Sequence, residues 1–461
     1  MRRRSLLLIV PVLLLATVLA TGTSGAQSSD GPEFFVVEEQ LPFEAVEGYE
    51  SSERGWGVWR GAGYRYEIPE NWNGDLVMWA HGFRGEGPEL TADSPPFREY
   101  LLENGYAWGA SSYDRNGYDV LSGARSTKIL TSYLSRRVLD DRPHNIYLTG
   151  ASMGGHVTGY SMERYRWLYD GAMPVCGVMG DYELFDFFLD FNVAAQQLGT
   201  GSSTFPVDPL EYVTQTVPAI KANLEAVPGG WPVALNETGE QFKQLVELAS
   251  GGDRPNFDEA WVFWNSFPDF ATGPGNFLFD LGIGDGTTVN SRGRVTIDNT
   301  DTVYQLDLDP AISADEQALN DGIVRVEQTR RARVFEPISG RISDPVLTLH
   351  NLGDLFVPFG MQIDYAEDVA SWGREHLLVQ RAIRGSGHCG FTEAEYEQGF
   401  ADLVRWVEDG VRPEGDDVLD PAAVAAPDFG CRWTDPTPGA HLFAAPCPGD
   451  EPPGEEPPAG E

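Results

Sequence analysis

Positive charge is scarce in this chain. Lysine occurs only at Lys128, Lys221 and Lys243, so almost every cation is an arginine, and 32 basic side chains face 70 acidic ones for a formal net charge of −38. Phosphate backbones and anionic bilayer surfaces are repelled by such a surface, which excludes nucleic acid and membrane headgroups as partners. Beyond the N-terminus no apolar run is long enough to cross a bilayer. Cysteine is also sparse: Cys176, Cys389, Cys431 and Cys447 are the whole set, and their spacing fits no zinc motif. No pattern points to a redox cofactor or a catalytic metal. The composition of a disordered chain is missing too. With 41% hydrophobic and 11% aromatic residues over 461 positions, there is material for one large core or two domains.

The first 26 residues read as a secretion signal. Arg2, Arg3 and Arg4 form the charged start, Leu6 to Ala20 is an apolar run of 15 residues interrupted by Pro11, and Ser24-Gly25-Ala26 offers small residues to a peptidase. Cleavage after Ala26 would release an extracellular chain with no membrane attachment and a net charge near −41, three arginines fewer. An even cysteine count in an exported protein implies two disulfides, and four cysteines allow three pairings among which spacing does not choose.

After a polar stretch to about residue 55, short apolar strand candidates alternate with amphipathic helices, the pattern of a mostly parallel α/β sheet flanked by helices. Strands are expected at Tyr64–Ile68 (an edge), Leu76–Ala80, Tyr106–Ser111, Asn145–Thr149 and Gly171–Cys176, with helices at Phe97–Glu103, Leu121–Val138 and Gly155–Tyr169. The rhythm breaks at about 180–335, where Tyr182–Leu198, Leu210–Ala226, Gly239–Ala249 and Phe257–Phe267 read as helices and 276–308 as loops with short hairpins. It resumes with strands Val346–His350 and Leu377–Ile383 and helices Gly360–Trp372 and Thr392–Asp409. The expected organisation is a signal over 1–26, an α/β core over 27–179 and 336–412, a mainly helical lid insertion over 180–335, and an extension over 413–461 ending in a disordered acidic Pro-rich tail.

Gly150-Ala151-Ser152-Met153-Gly154 matches G-x-S-x-G. In a glycine-rich chain the pentapeptide alone says little. Its context says more, because a strand runs into it and a helix leaves it, which is the setting of a nucleophile elbow. A serine hydroxyl needs a base. Of the seven histidines, only His388 lies in a Gly-rich loop between a late strand and a helix, Arg384-Gly-Ser-Gly-His388-Cys-Gly. His144 sits at the other end of its strand, His156 lies within the elbow helix, His350 ends a strand beside the acid, and His376 and His441 read as surface. Asp354, in the loop after Val346–His350, is the acid that would fix the imidazole tautomer. The chain order Ser152, Asp354, His388 is the order of an α/β-hydrolase triad. The amides of Met153 and of Phe83, with Gly82 as second choice, would hold the oxyanion, and His81 would brace that loop.

On these residues the chain resembles the α/β-hydrolase superfamily over 64–178 and 344–410, and within it the secreted bacterial tannase and feruloyl-esterase group. The resemblance implies a serine hydrolase that cleaves carboxylic esters through an acyl-enzyme, with a peptidase or amidase of the same fold as the alternative. In that group a cysteine directly before the nucleophile pairs with the cysteine after the histidine. Here residue 151 is alanine, and the resemblance points to Cys176 as the partner of Cys389, which leaves Cys431 and Cys447 to close a short loop. The insertion carries Phe185, Phe187, Phe188, Phe191, Trp231, Trp261, Phe263, Trp264, Phe267, Phe270, Phe277 and Phe279, mostly as core, with a few at a pocket mouth suited to an apolar or aromatic acyl group. Asp298, Asp301, Asp307 and Asp309 match no calcium-loop spacing and are expected in solvated loop. The expected partner is thus a small-molecule or polymer-derived ester; the sequence does not fix an oligomeric state.

Overall fold

A computed structural model of the chain describes residues 33–180, 182–267, 273, 275–281, 297–327 and 335–449. The expected signal segment, the end of the tail and Phe270 lie outside these residues.

Eight strands form the main sheet: β1 Glu53–Trp59, β2 Ala62–Ile68, β3 Leu76–Ala80, β4 Ala107–Ser111, β5 Ile146–Ala151, β6 Gly171–Val175, β7 Val346–Asn351 and β8 Leu378–Ile383. Their spatial order is β8-β7-β6-β5-β3-β4-β2-β1, with β1 and β2 antiparallel and β3 to β8 mutually parallel. A mostly parallel sheet of this order, flanked by helices, is the α/β-hydrolase architecture. A further pair, Phe35–Val36 with Glu89–Leu90, lies apart from it.

Parallel strands need crossovers, and both faces of the sheet are therefore covered. The two-residue period of β3 sends Leu76, Met78 and Ala80 into the cluster under α2 (Val120–Tyr133) and α3 (Met153–Arg164). Val77 and Trp79 face the other side, with Phe97, Leu101, Phe400 and Leu403 from α1 (Arg98–Glu103) and α10 (Glu393–Asp409). Between β6 and β7 the chain forms α4 (Glu183–Thr200), α5 (Val217–Leu224), α6 (Glu237–Ala249), α7 (Phe257–Ser266) and α8 (Ala314–Gly322). Phe185, Phe191, Phe242, Trp261, Trp264 and Phe279 of this segment are buried in the same cluster as the α3 face of the sheet. After β7 comes α9 (Gly360–Ser371).

One expectation is corrected, and one helix is added. The edge strand is β1, not Tyr64–Ile68, because Glu53–Trp59 pairs residue by residue with Ala62–Ile68. Two glycines and the polar pair Glu53-Arg54 break its alternation, and its apolar side chains Trp56, Val58 and Trp59 stay exposed at the edge of the sheet. Of the stretch 276–308 expected as loops with short hairpins, residues 282–296 lie outside the described residues; Phe277–Asp280 is a helical turn, and its Phe277, Leu278 and Phe279 are buried. Helix α8 went unseen because its one buried apolar side chain, Leu319, gives no amphipathic stripe; a capping box on Ser313 and Glu316 starts it.

Candidate active site

The register of the sheet brings distant parts of the chain to one rim. Ala80 lies opposite Gly150, Ala151 opposite Val175, and Asn351 opposite Ile383. The loops leaving β3, β5, β6, β7 and β8 therefore start at one level, and they carry Gly82-Phe83, Ser152, Cys176, Asp354 and His388 respectively.

Ser152 sits between β5 and α3 with φ 59° and ψ −123°, a backbone conformation that costs a side-chain-bearing residue strain. Its N–H donates to the Val175 carbonyl at 3.1 Å, and its own carbonyl accepts from His156 N–H. The flanking glycines allow this turn. A Cβ on Gly154 would lie 2.0 Å from the Ala80 carbonyl oxygen, and one on Gly150 would lie 2.3 Å from the carbonyl oxygen of Gly154. Helix α3 begins at Met153, two residues earlier than its apolar pattern suggested, so the Met153 amide is an unpaired first-turn donor beside the serine. Across the rim, a Cβ on Gly82 would stand 3.1 Å from Ser152 Cβ. Among the described residues, the amides of Gly82, Phe83 and Met153 donate to no protein acceptor.

The β3 loop is held by His81. Its Nδ1–H donates to the Gly82 carbonyl at 2.7 Å, its ring stacks on Tyr113 with centroids 3.9 Å apart, and Tyr113 Oη–H donates back to the His81 carbonyl. Burial, aided by Arg84, depresses the His81 pKa to about 3, so this ring is neutral whenever the protein is folded near neutrality.

On the far side, His388 Nδ1 and Asp354 Oδ2 are 2.5 Å apart, with the carboxyl fully buried. The other oxygen, Oδ1, accepts the amides of Phe356 and Val357, each at 2.9 Å. The loop under the acid is fixed by His350, whose Nε2–H donates to the Val357 carbonyl at 2.8 Å while Nδ1 accepts from Gln362. Burial lowers the His350 pKa and keeps that ring neutral. With Nδ1 committed to Asp354, the remaining His388 nitrogen, Nε2, is buried and has no hydrogen-bond partner among the described residues. No hydrogen bond joins it to Ser152 Oγ. The ring of Phe356 covers His388 edge-on at 5.0 Å, and Phe188 and Phe277 pack on Phe356 in turn.

Cys176 and Cys389 form one disulfide, Cys431 and Cys447 the other. The first joins the residue after β6 to the residue after His388, and both half-cystines have positive φ, 43° and 55°. An imidazole nitrogen of His388 lies within 4.8 Å of both sulfurs. The oxidised sulfurs are no metal ligands, and among the described residues no other group of three histidine, cysteine or carboxylate side chains is close enough to hold an ion. Asp298, Asp307 and Asp309 cap turns instead: they accept the amides of Thr300, Asp309 and Ala311 respectively.

Of the remaining histidines, His156 is buried between Tyr118 Oη and the Glu336 carbonyl. His376 is exposed. His441 is a correction: it lies not at the surface but beneath the His388 loop, with its side chain only 3% exposed. No local pattern marked it, because the residues that cover it come from another part of the chain.

Sheet order and a strand–serine–helix turn thus define an α/β-hydrolase fold with a buried acid paired to a partly buried imidazole at the rim. No protein-family model matches the chain. Among curated proteins, the o-phthalyl amidase of Xanthobacter agilis is 29% identical over 101 residues, which span 20% of this chain and 22% of that protein. Similar solved structures include feruloyl esterase B from Aspergillus oryzae, 15% identical with TM-score 0.45, covering 78% of this chain and 80% of that one. Tannin acyl hydrolase from Aspergillus niger is 15% identical with TM-score 0.41, covering 77% of each chain. The acylaminoacyl peptidase of Pyrococcus horikoshii is 10% identical with TM-score 0.39, covering 80% of this chain and 44% of that one.

Proposed function

We propose that the protein is an exported serine hydrolase that cleaves carboxylic esters through an acyl-enzyme. The observation that carries this reading is the pair of His388 with the buried Asp354, whose imidazole Nε2 has no protein partner among the described residues, on the same sheet rim as a serine held at positive φ. Asp354 holds the imidazole with its proton on Nδ1, so Nε2 is the basic atom. Nε2 takes the proton of Ser152 Oγ as that oxygen attacks the acyl carbon. The Met153 and Phe83 amides receive the oxyanion. His388 then returns the proton to the departing alcohol, and water repeats the sequence to release the acid. Apo sites of this kind are often loose, and the Ser152–His388 bond forms as substrate arrives. Two disulfides support an oxidising compartment, as the expected signal segment requires. The aromatic wall of Phe356, Phe188 and Phe277 suits an apolar or aromatic acyl group. Amide cleavage is the second reading, favoured by the sequence relative named an amidase.

A fluorophosphonate probe should label Ser152, and labelling should vanish in Ser152→Ala. Failure to label the folded protein at Ser152 would remove the serine mechanism. Nitrophenyl esters should turn over faster than aminoacyl or aryl anilides; the reverse order would establish the amidase reading.

A further inference from the structure

The loop that carries His388 contains Gly385, Gly387 and Gly390, and a chain so rich in glycine does not hold one shape by itself. On one side it is held by the Cys176–Cys389 disulfide and by Asn351, whose side chain accepts the Gly390 amide and donates to the Gly390 carbonyl; on the other it is held by residues that follow the last core helix, α10. The Arg384 amide donates to Thr434 Oγ1, and its guanidinium donates to the carbonyls of Phe429, Pro427 and Pro446. Ser386 donates its N–H to the Leu442 carbonyl and its hydroxyl to that of Phe443. Between these anchors His441 enters the fold. Its Nδ1 is 2.9 Å from the Gly390 carbonyl oxygen and its Nε2 is 2.8 Å from Glu395 Oε1 on α10. The bare Cα of Gly385 gives it room, since a Cβ there would stand 3.3 Å from His441 Nδ1. The Cys431–Cys447 disulfide closes the segment around it.

We propose that His441 is a positioning residue for the His388 base, an imidazolium that bridges the Gly390 carbonyl to Glu395 and so fixes the loop on which His388 meets Asp354. The inference deepens the hydrolase reading and rests on it for its kinetic consequence alone. The argument is one of donors and acceptors. A carbonyl and a carboxylate only accept, so both ring nitrogens must carry a proton, and the bridge exists only in the charged ring. The charged groups that face the ring are Glu395 on α10 and Asp435 in the extension. Burial works against the charge, but Glu395 and the Gly390 carbonyl outweigh it and the His441 pKa is raised. The sign follows: the bridge is intact below that raised pKa and loses one donor as pH rises through it. Activity should therefore fall as pH rises through the raised pKa of His441.

The test compares wild type with His441→Gln, which has one donor group and no titration, and His441→Arg, which keeps two donors and a permanent charge. In His441→Gln, amide hydrogen exchange of residues 384–390 should accelerate near neutral pH, and kcat should fall at least about tenfold, since a misplacement of about 1 Å costs on the order of 100-fold. In His441→Arg, kcat should recover and the alkaline fall should disappear. If both variants are unfolded by circular dichroism, Glu395→Gln replaces them, with the alkaline fall expected at lower pH than in wild type. Exchange rates and pH profiles that superimpose on wild type in a folded variant would overturn the inference. Hydrogen exchange separates this outcome from failure of the hydrolase reading: faster loop exchange in a protein that never labels at Ser152 would keep the bridge and discard the enzyme.

Discussion

Two kinds of residue decide this site, those that bear the chemistry and those small enough to let it approach. Gly154 belongs to the second kind. Its substitution by alanine puts a Cβ 2.0 Å from a backbone oxygen in β3, where nothing flexible can yield. Gly154→Ala is expected to cost at least about 1–3 kcal/mol of stability by denaturant unfolding and to lose ester turnover with it. Asp354→Asn is the complementary test. The loop would survive, because an amide oxygen still accepts from Phe356 and Val357, but the amide NH2 would donate to His388 Nδ1 and hold the imidazole in the wrong tautomer, with its proton on Nε2. Turnover should drop by on the order of 10⁴-fold with the unfolding midpoint nearly unchanged. Both residues were legible in the sequence, since G-x-S-x-G and an acid after a late strand are local patterns. His441 was not. Its position depends on Glu395 and Gly390, 46 and 51 residues away, and no window of sequence contains that contact.

At the scale of elements, the strands buried on both faces were read to within a residue or two, because Leu76–Ala80 is an unbroken apolar run and Val346, Leu347 and Leu349 mark most of Val346–Asn351, with ends set by the loops that follow. Strand β1 escaped because an edge strand needs only half an apolar pattern. The element that most affects the site is covalent. The Cys176–Cys389 link spans 213 residues and ties the end of β6 to the His388 loop. Replacing both cysteines by serine should destabilise the protein by about 2–4 kcal/mol and lower kcat more than it raises KM. An unchanged kcat in the folded double variant would show that the disulfide serves stability alone.

The molecule as a whole carries a large negative charge and buries part of it. Asp186 and Asp190 on α4 lie against Tyr304 and the Asp298 amide, and burial raises their pKa values to about 8 and about 7. A carboxyl whose pKa is raised in the folded state contributes stability at acid pH that is lost as pH rises through the folded value. The window runs from about pH 4, the unfolded carboxylate range, to about pH 8. The helices between β6 and β7 should thus loosen towards alkaline pH. Asp186→Asn keeps an acceptor for the Asp298 amide without the charge, and it should stabilise the protein at pH 8 but not at pH 4, by about a few kcal/mol at about 1.4 kcal/mol per pKa unit, read as a higher melting temperature at pH 8 only. A melting difference independent of pH would show that Asp186 is ionised in the folded protein.

The sequence by itself determined the alternation of strands and helices, the elbow around Ser152 and the identity of the acid and the imidazole. Each of these depends on a local period, a tight turn or a loop type that neighbouring residues impose. The tertiary structure alone decided which ends of the strands share a rim, which cysteines meet, and that a histidine from the extension lies under the loop of His388. Those outcomes are set by strand register and by packing between segments that no local window of sequence spans, where the energy comes from surfaces that exist only once the chain has folded.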